Sequence, residues 1–400
     1  MEKPKVVLGV SGGIAAYKAC ELLRRLTESG HDVRVVPTEA SLHFVGAATW
    51  SALSGHPVST GVWDDVHEVP HVRTGQSADL VVVAPATADM LAKAAHGLAD
   101  DLLTNTLLTA RCPVVFAPAM HTEMWEHPAT RENVATLRRR GAVVVEPAVG
   151  RLTGVDTGKG RLPDPAEIFE VCRRVLARGA TAPDLAGRHV VISAGGTREP
   201  LDPVRYLGNR SSGKQGYALA RTAVARGARV TLIEANTGLA DPAGADVVRV
   251  GTAVQLREAV LKAAADADAV VMAAAVADFR PAAYATGKIK KRDGVEPDAV
   301  ALVRNPDVLA EISAERAREG QVVVGFAAET DDVLAHGREK LLRKGCDFLV
   351  VNEVGEAKTF GSEENEAVVL ARTGGETPVP HGPKEALADT VWDLVAAELA

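Results

Sequence analysis

Short apolar segments alternate with segments of helical periodicity through most of this chain. In the first half, helical segments separate apolar segments at 5–10, 33–36, 78–84, 114–117 and 143–145. Strands that alternate with helices form a parallel sheet that helices cover on both faces. The chain is therefore predicted to be an α/β protein with parallel sheets.

The same pattern begins again after a polar, proline-containing stretch at 178–184. An apolar segment at 189–193, a glycine turn, a helix that runs through Arg226 and a strand at 229–233 follow in that order. A chain of 400 residues is also too long for one ordinary domain. We therefore expect two Rossmann-like domains, at 1–180 and 186–400.

The charge and the cysteines of the chain disfavour several classes of protein. The formal net charge of −7 disfavours a nucleic-acid binder and a membrane-surface binder, so the expected ligands are small molecules. The sequence contains no apolar run as long as a membrane helix. Cys20, Cys112, Cys172 and Cys346 lack metal-ligand spacing, which disfavours structural zinc and fits a reducing compartment. We therefore expect a cytoplasmic protein.

A glycine-rich and basic stretch at 195–214 follows the first strand of the second half and precedes a helix. Glycines let the backbone approach an anion closely, and the amides at a helix N-terminus direct the positive end of the helix dipole towards it. A purely structural turn would account for the glycines but not for Arg205, Asn209 and Lys214 beside them. The stretch therefore predicts a phosphate-binding site.

In an open parallel sheet, ligands bind beyond the carboxyl ends of the strands. The first such loop lacks the G-x-G-x-x-G spacing of a dinucleotide site, although Glu39 stands near the position of a ribose-binding acid. Small and hydroxyl-bearing side chains at the strand ends instead favour a mononucleotide such as FMN. The predicted cofactor contacts are Ser11, Gly12, Gly13, Ile14, Thr38, Ser41, Ala84, Pro85, Ala86, Thr87 and Asp89.

Several motifs, in order, resemble one family along essentially the whole chain. Segments 84–89 and 118–125 resemble the flavin and substrate motifs of flavin-containing cysteine decarboxylases. Segments that resemble a CTP-dependent ligase lie at 198–202, 211–214, 274–278, 288–291, 305–307 and 325–330. Together they resemble the bifunctional phosphopantothenoylcysteine decarboxylase/phosphopantothenate–cysteine ligases of coenzyme A biosynthesis.

For the second half, the resemblance implies CTP-dependent joining of 4'-phosphopantothenate to L-cysteine through an acyl-cytidylate. It assigns the acyl-cytidylate to Arg205, Asn209, Ala274 and Lys288. It implies Mg²⁺ on the triphosphate, with Asp278 as a candidate metal ligand. Without the resemblance, two lysines spaced i,i+4 near position 340 would indicate a solvated helix face. The implied CTP contacts are Ala273, Ala274, Ala275, Asp278, Lys288, Asn305, Pro306, Asp307, Val308, Leu309, Phe326, Lys340 and Lys344.

For the first half, the resemblance implies FMN-dependent oxidative decarboxylation of the ligation product to 4'-phosphopantetheine. His71 corresponds to the catalytic histidine. Two positions depart from the family's motifs: His121 stands where an asparagine is expected, and Gly154 stands where a proton-donating cysteine is expected. We expect His121 to hold the substrate carboxylate, and water or a neighbouring acid such as Asp156 to supply the final proton.

Two other interpretations stay open at this point. The first is a two-domain NAD-dependent dehydrogenase, which the missing dinucleotide spacing disfavours. The second retains the ligase but makes the first domain a flavin-binding scaffold, which the substitutions at 121 and 154 favour. The resemblance also implies a homo-oligomer with trimerising first domains and dimerising second domains.

Overall fold

The computed structural model describes residues 3–61, 70–151, 157–179, 183–290, 299–329, 332–353 and 364–400. The chain divides into two compact units, Met1–Ala182 and Pro183–Ala400. In these described ranges, the helices are all too short or too polar to cross a bilayer.

The first unit contains a five-stranded parallel sheet with the strand order β2-β1-β3-β4-β5. The chain passes from β1 to its neighbour β2 and then returns to the other side of β1 to form β3. The winding direction therefore reverses between β1 and β3, which is the position where such sheets bind ligands. The strands are β1 (Lys5–Val10), β2 (Asp32–Pro37), β3 (Leu80–Ala86), β4 (Val114–Pro118) and β5 (Val143–Val144).

Helices cover both faces of this sheet because its central strands are apolar on both sides. Leu80 and Val82 of β3 pack in one cluster with residues of α1 and α8, whereas Val81 and Val83 pack in another with residues of α4, α5 and α7. The helices are α1 (Ala16–Glu28), α2 (Ala47–Ser54), α3 (Pro70–Ser77), α4 (Ala88–His96), α5 (Leu102–Thr109), α6 (Thr122–Glu126), α7 (Pro128–Arg139) and α8 (Pro165–Arg178).

An antiparallel hairpin of β6 (Ala148–Arg151) and β7 (Thr157–Arg161) follows β5 in the chain. Gly158 and Gly160 let β7 lie against the segment before α6, because a Cβ at Gly160 would lie 2.2 Å from the carbonyl oxygen of Met120. Residues 152–156, which include Gly154 and Asp156, lie outside the described residues.

The second unit contains an eight-stranded sheet with the strand order β12-β11-β8-β13-β16-β17-β18-β19. Its first six strands are parallel, and their winding reverses between β8 and β13. The strands are β8 (His189–Gly195), β11 (Arg229–Ala235), β12 (Ala245–Val250), β13 (Ala269–Met272), β16 (Val322–Glu329), β17 (Phe348–Glu353), β18 (Glu364–Ala371) and β19 (Glu376–Pro383).

The last two strands of this sheet are antiparallel, so the prediction of parallel sheets is incomplete for this unit. Only four residues join β18 to β19, with Gly374 in the left-handed region at φ +100°. A parallel pair needs a crossover of a dozen or more residues, so this short turn requires a hairpin. The α/β fold class itself is confirmed.

Two small antiparallel hairpins project from the second sheet's connections. They consist of β9 (Arg198–Pro200) with β10 (Tyr206–Gly208), and of β14 (Phe279–Pro281) with β15 (Leu302–Arg304). The helices that cover the sheet are α9 (Lys214–Ala225), α10 (Ala253–Ala264), α11 (Val308–Ala314), α12 (Val333–Lys344) and α13 (Lys384–Glu398). Side chains of α9 and α13 pack on one face of the sheet, and those of α10, α11 and α12 pack on the other.

Candidate functional sites

A cavity of about 610 Å³ lies at the carboxyl ends of β1, β2 and β3, beside the reversal in winding of the first sheet. Among the predicted cofactor contacts, Ser11, Gly12, Thr38, Thr87 and Asp89 line it. Gly12 is required for the close approach of two loops, because a Cβ there would lie 2.5 Å from the Cβ of Ala40. The remaining lining residues, which the sequence did not predict as contacts, are Glu39, Ala40, Thr60, Gly61, Ala88, Met90, Lys93, Asp100, Asp101 and Met124.

The hydroxyl of Ser11 joins two of these loops. It donates to the carbonyl oxygen of Pro85 at 2.7 Å and accepts from the backbone N–H of Thr87 at 2.9 Å. The hydroxyl of Ser11 therefore already donates its hydrogen bond to a protein atom. Ser11 shapes the wall of the cavity more than it donates to a ligand.

Two threonines at the N-termini of helices accept a hydrogen bond through the hydroxyl oxygen, so each hydroxyl can still donate a hydrogen bond to a ligand. Thr38 Oγ1 accepts from the backbone N–H of Ser41, and Thr87 Oγ1 accepts from the backbone N–H of Met90, as N-cap residues do. Ser41 is fully buried and donates to the carbonyl oxygen of Thr38 at 2.7 Å. Ser41 therefore stabilises the turn, and its contact to a cofactor stays a prediction.

The other predicted cofactor contacts lie near the cavity but are not among the described lining residues. Ile14 is 63% exposed in the turn that precedes α1, next to Gly13. Ala84, Pro85 and Ala86 form the buried end of β3, where the peptide bond between Ala84 and Pro85 is cis. These residues therefore set the course of the backbone around the cavity.

Two carboxylates balance the positive charge of the lysine that lines the cavity. Lys93 Nζ lies 3.2 Å from Asp89 Oδ2 and 3.0 Å from Asp100 Oδ2. The hydrogen bond to Asp100, with support from Asp89, raises the pKa of Lys93 above its ordinary value despite partial burial. A phosphate in this cavity would therefore depend on hydroxyls and backbone N–H groups more than on Lys93.

The two predicted catalytic histidines lie on different helices of the first unit. His121 is the N-cap of α6, and its backbone precedes Met124, which lines the cavity. The neighbouring Met120 donates its backbone N–H to the carbonyl oxygen of Gly160 on β7 at 2.9 Å. His71 lies within α3, and its side chain is outside the described part of the chain.

In the second unit, the segments that follow β8 and β13 are joined where the winding reverses. The backbone N–H of Thr197 donates to the carbonyl oxygen of Ala275 at 3.2 Å, and that of Ala275 donates to the carbonyl oxygen of Gly195 at 2.8 Å. Thr197 Oγ1 accepts from the backbone N–H of Ala277 at 3.0 Å. These bonds create one continuous loop surface from the predicted phosphate stretch and the predicted CTP segment.

Two predicted acyl-cytidylate residues lie on this surface. Asn209 Nδ2 donates to the carbonyl oxygen of Val276 at 3.2 Å. The backbone N–H of Ala274 donates to the hydroxyl of Ser193 at 3.1 Å, and Ala273 packs against the core beneath. The structure therefore brings Asn209 to the 273–277 segment, from a position 67 residues earlier in the chain.

The stretch 195–214 ends at the N-terminus of α9, as predicted. Gly195 has φ +88°, and a Cβ there would lie 2.0 Å from the carbonyl oxygen of Ala235, so no other residue fits. The N-cap of α9 is Gly213, and within the described structure no side chain caps this helix end. The N-terminus of α9 is suited to an anion for this reason.

The third predicted acyl-cytidylate residue, Arg205, is paired with a buried carboxylate. Its Nε and Nη2 atoms lie 3.0 Å and 2.5 Å from Asp202 Oδ2. Its Nη2 also donates to the carbonyl oxygen of Ile289 at 2.9 Å. Arg205 is thereby held beside the segment that carries the exposed Lys288, the fourth predicted residue.

The loop that contains Asp278 is held by Asn305. Asn305 Nδ2 donates to the carbonyl oxygen of Ala277 at 2.8 Å, its backbone N–H donates to that of Asp278 at 2.9 Å, and its Oδ1 accepts from Arg280. Asp278 itself is exposed. Over the described residues, no group of three or more His, Cys, Asp or Glu side chains is placed to hold a metal ion.

The remaining predicted CTP contacts lie around α11 and α12. Asp307 caps α11 and forms an ion pair with Lys344, which holds the pKa of Asp307 below its ordinary value although burial alone would raise it. Lys340 lies one turn before Lys344 on α12. Pro306 precedes the cap, Val308 and Leu309 pack in the core, and Phe326 lies partly buried on β16.

Sequence reasoning gave no role to two residues that organise this site. Asn236 adopts φ +54°, and its Nδ2 donates to the carbonyl oxygens of Gly196 and Gly251 at 2.9 Å and 2.8 Å. Asparagine tolerates the left-handed region, so an asparagine directly after a strand was the available signal. The second residue is Asp202, the last residue of the ligase-like segment 198–202.

Two family models match the chain. A model described as Flavoprotein matches residues 1–177, and a model described as DNA/pantothenate metabolism flavoprotein C-terminal domain matches residues 185–399. The second match alone covers more than half of the chain.

Full-length relatives agree with these matches. The Coenzyme A biosynthesis bifunctional protein CoaBC of Mycolicibacterium smegmatis is 62% identical over 99% of this chain and 98% of its own length. The protein of the same name from Vibrio cholerae is 42% identical over 99% of this chain and 98% of its own length. The crystal structure of a CoaBC C-terminal domain is 30% identical, with a TM-score of 0.46, over 54% of this chain and 98% of that domain. The chain therefore belongs to the family of bifunctional coenzyme A biosynthesis enzymes that combine a phosphopantothenoylcysteine decarboxylase with a phosphopantothenate–cysteine ligase.

Proposed function

We propose that the first unit binds FMN at the cavity between the ends of β1, β2 and β3, and carries out the decarboxylation there. The observation that supports this most directly is the strand order β2-β1-β3-β4-β5, which is the order of flavodoxin-like sheets that bind FMN between β1 and β3. The match of residues 1–177 to the Flavoprotein model supports a flavin in this unit.

The residues around the cavity fit the cofactor. The volume of about 610 Å³ is within the range of small-molecule sites. Thr38 and Thr87 can each donate a hydroxyl proton to a phosphate, and Gly12 keeps the loop after β1 free of side-chain bulk. When bound, FMN would accept electrons from the substrate thiol and return them after CO2 leaves.

His71 and His121 are proposed to act on the substrate of this first reaction. His71 would accept and return substrate protons, because imidazole changes protonation near neutral pH. His121, at the start of α6, would donate a hydrogen bond to the substrate carboxylate, as the amide of the family's asparagine would.

The second unit is proposed to ligate 4'-phosphopantothenate to L-cysteine with CTP. A carboxylate oxygen of 4'-phosphopantothenate attacks the α-phosphorus of CTP, and pyrophosphate leaves. The cysteine amine then attacks the acyl carbon, and CMP leaves. Arg205, Asn209 and Lys288 would hold the acyl-cytidylate and offset its negative charge, since such chemistry depends on positioned cations.

Other residues of the second unit are proposed to bind the nucleotide. The N-terminus of α9 and the 273–275 backbone would contact phosphates, and Asp278 would be the protein ligand of Mg²⁺ on the triphosphate. Because Asn305 and Asp307 already bond within the protein, they would position the loops around CTP. The segment 306–309, Phe326, Lys340 and Lys344 would complete this side.

Three further expectations are part of this proposal. The two activities would belong to domains at 1–180 and 186–400. The chain would act in the cytoplasm on small molecules, without nucleic acid or membrane. It would form a homo-oligomer with trimerising first domains and dimerising second domains.

Flavin and nucleotide specificity test the proposal. Full-length protein freed of flavin should quench the fluorescence of added FMN but bind riboflavin at least about tenfold more weakly, because riboflavin lacks the phosphate. CTP, but not ATP, should support pyrophosphate release in the presence of 4'-phosphopantothenate. Equal affinity for both flavins, or equal use of both nucleotides, would contradict the corresponding half of the proposal.

A further inference from the structure

The turn between β9 and β10 is tied to a distant segment that carries Lys288. The backbone N–H of Ile289 donates to Asp202 Oδ2 at 3.2 Å across 87 residues of chain. Arg205 Nη2 donates to the carbonyl oxygen of the same Ile289 at 2.9 Å. The backbone N–H of Ala285 donates to the carbonyl oxygen of Leu201 at 3.1 Å. Both polar backbone groups of Ile289 are therefore held by the turn.

The two carboxylate oxygens of Asp202 accept hydrogen bonds from different groups. Oδ1 accepts from the backbone N–H groups of Val204 and Arg205, both at 2.8 Å, and so closes the turn. Oδ2 accepts from the guanidinium of Arg205 and from Ile289. The side chain of Asp202 is 0% exposed, so its carboxylate depends on these protein donors in place of water.

The arrangement requires an ionised carboxylate. The adjacent guanidinium of Arg205 holds the pKa of Asp202 well below its ordinary range, and backbone N–H groups add to this effect. A carboxylate accepts hydrogen bonds through both oxygens, whereas an amide accepts through one and donates through the other. An asparagine could therefore close the turn or hold Arg205 and Ile289, but not both.

We propose that Asp202 is a positioning residue for the ligation: it fixes Arg205 and the backbone next to Lys288 in one arrangement. This inference depends on the proposed roles of Arg205 and Lys288 at the acyl-cytidylate. Two cations that act on one intermediate must keep a fixed separation, and a misplacement of about 1 Å can cost about 10²-fold in rate. Three hydrogen bonds to the turn provide that fixed position for a segment without regular structure.

The test variant is Asp202→Asn in the full-length protein, with Asp266→Asn as the matched control. Asp266 Oδ2 lies 2.5 Å from Nη2 of Arg229, so the control also removes an aspartate–arginine pair from the second unit. Arg229 begins β11, so this pair lies at the amino ends of the strands, opposite the site. The control should leave ligation within about twofold of wild type.

The first measurement is hydrogen–deuterium exchange of peptides that span 202–206 and 282–290. Asp202→Asn should speed exchange by at least about tenfold either at Ile289 or at Val204 and Arg205, because the amide oxygen can accept from only one of these two sets of N–H groups, whereas Asp266→Asn should change neither. This result is independent of catalysis. Unchanged exchange in Asp202→Asn would overturn the proposal.

The second measurement is a double-mutant cycle on the kcat of ligation. Asp202→Asn alone should lower kcat about tenfold or more in protein that stays folded at the assay temperature, but should cost at least about threefold less in the Lys288→Gln background, where only the positioning of Arg205 remains to be lost. Multiplicative losses in the double variant would overturn the positioning role. A wild-type chain without CTP-dependent pyrophosphate release would instead overturn the proposed ligation, so the two failures are distinguishable.

Discussion

The hydroxyl of Ser11 accepts a hydrogen bond from the backbone N–H of Thr87 at 2.9 Å. This bond joins the loops that follow β1 and β3, where the first sheet reverses its winding. The same hydroxyl donates to the carbonyl oxygen of Pro85. Both loops line the cavity proposed for FMN. The shape of that cavity therefore depends on an internal pair of hydrogen bonds.

Ser11→Ala should weaken FMN binding about tenfold, because the backbone N–H of Thr87 loses its acceptor at a cost of about 1–3 kcal/mol, while the carbonyl oxygen of Pro85 keeps only the backbone N–H of Ser11. Flavin fluorescence titration of the full-length protein measures the change. Ser29→Ala is the matched control, since its hydroxyl bonds to the carbonyl oxygen of Leu26 and the side chain of His31 at the end of α1. Unchanged FMN affinity in Ser11→Ala would contradict the importance of this bond.

Asn209→Ala and Lys288→Gln should each lower ligation by about 10²-fold or more, because each removes a contact to the charged intermediate. Decarboxylation of supplied phosphopantothenoylcysteine should stay unchanged in both. Lys262→Gln, which alters an exposed lysine of α10, should change neither activity. Equal loss of both activities in a site variant would indicate misfolding and count against the assignment.

His71→Asn should reduce CO2 release by about 10²-fold or more while FMN binding and ligation persist, since the variant loses the proposed proton acceptor. Release of CO2 from supplied substrate is the measurement. The exposed His96 at the end of α4 supplies the control variant His96→Asn. Wild-type rates in His71→Asn would remove His71 from the mechanism.

Two buried thiols should report the unfolding of each unit separately. Burial raises the pKa of Cys172 to about 12 and that of Cys346 to about 11. At about pH 8, neither should react with iodoacetamide in the native protein, because neither thiol is accessible or ionised. Peptide mapping after graded denaturation should show Cys172 labelled with the first unit and Cys346 with the second.

The same raised pKa values have a consequence for stability at high pH. An unfolded thiol ionises near pH 9, well below the folded values, so the unfolded state loses its proton first. The stabilisation is complete below about pH 9 and is lost as the pH rises towards 11 to 12. Labelling of either thiol in native protein at about pH 8 would contradict this account.

The sequence predicted strands well where apolar side chains decide the structure. β1 occupies Lys5–Val10, as expected, because its residues are buried on both faces. β3 continues to Ala86, two residues beyond the predicted end, because its pairing with β4 resumes at Ala86 after a register shift that accommodates Pro85. The end of a strand depends on such local features of the backbone, which hydrophobic periodicity does not predict.

The site was less predictable because it depends on contacts between distant segments. The residue types at strand ends predicted Thr38 and Thr87 as residues of the cofactor site. Only the structure shows that the hydroxyl of Ser41 donates to a backbone carbonyl oxygen of the protein. Likewise, the hydrogen bond from Ile289 to Asp202 joins two loops without any shared pattern in the sequence. Such pairings arise from the packing of the whole unit.

The most direct test of the account is reconstitution of the full-length protein with FMN, 4'-phosphopantothenate, L-cysteine, CTP and Mg²⁺. Pyrophosphate and CO2 are followed separately, and the product is identified by mass spectrometry. The account predicts CTP-dependent pyrophosphate release, then FMN-dependent CO2 release and 4'-phosphopantetheine. Pyrophosphate without CO2 from the flavin-loaded protein would contradict the decarboxylase site, and the absence of both would contradict the whole account.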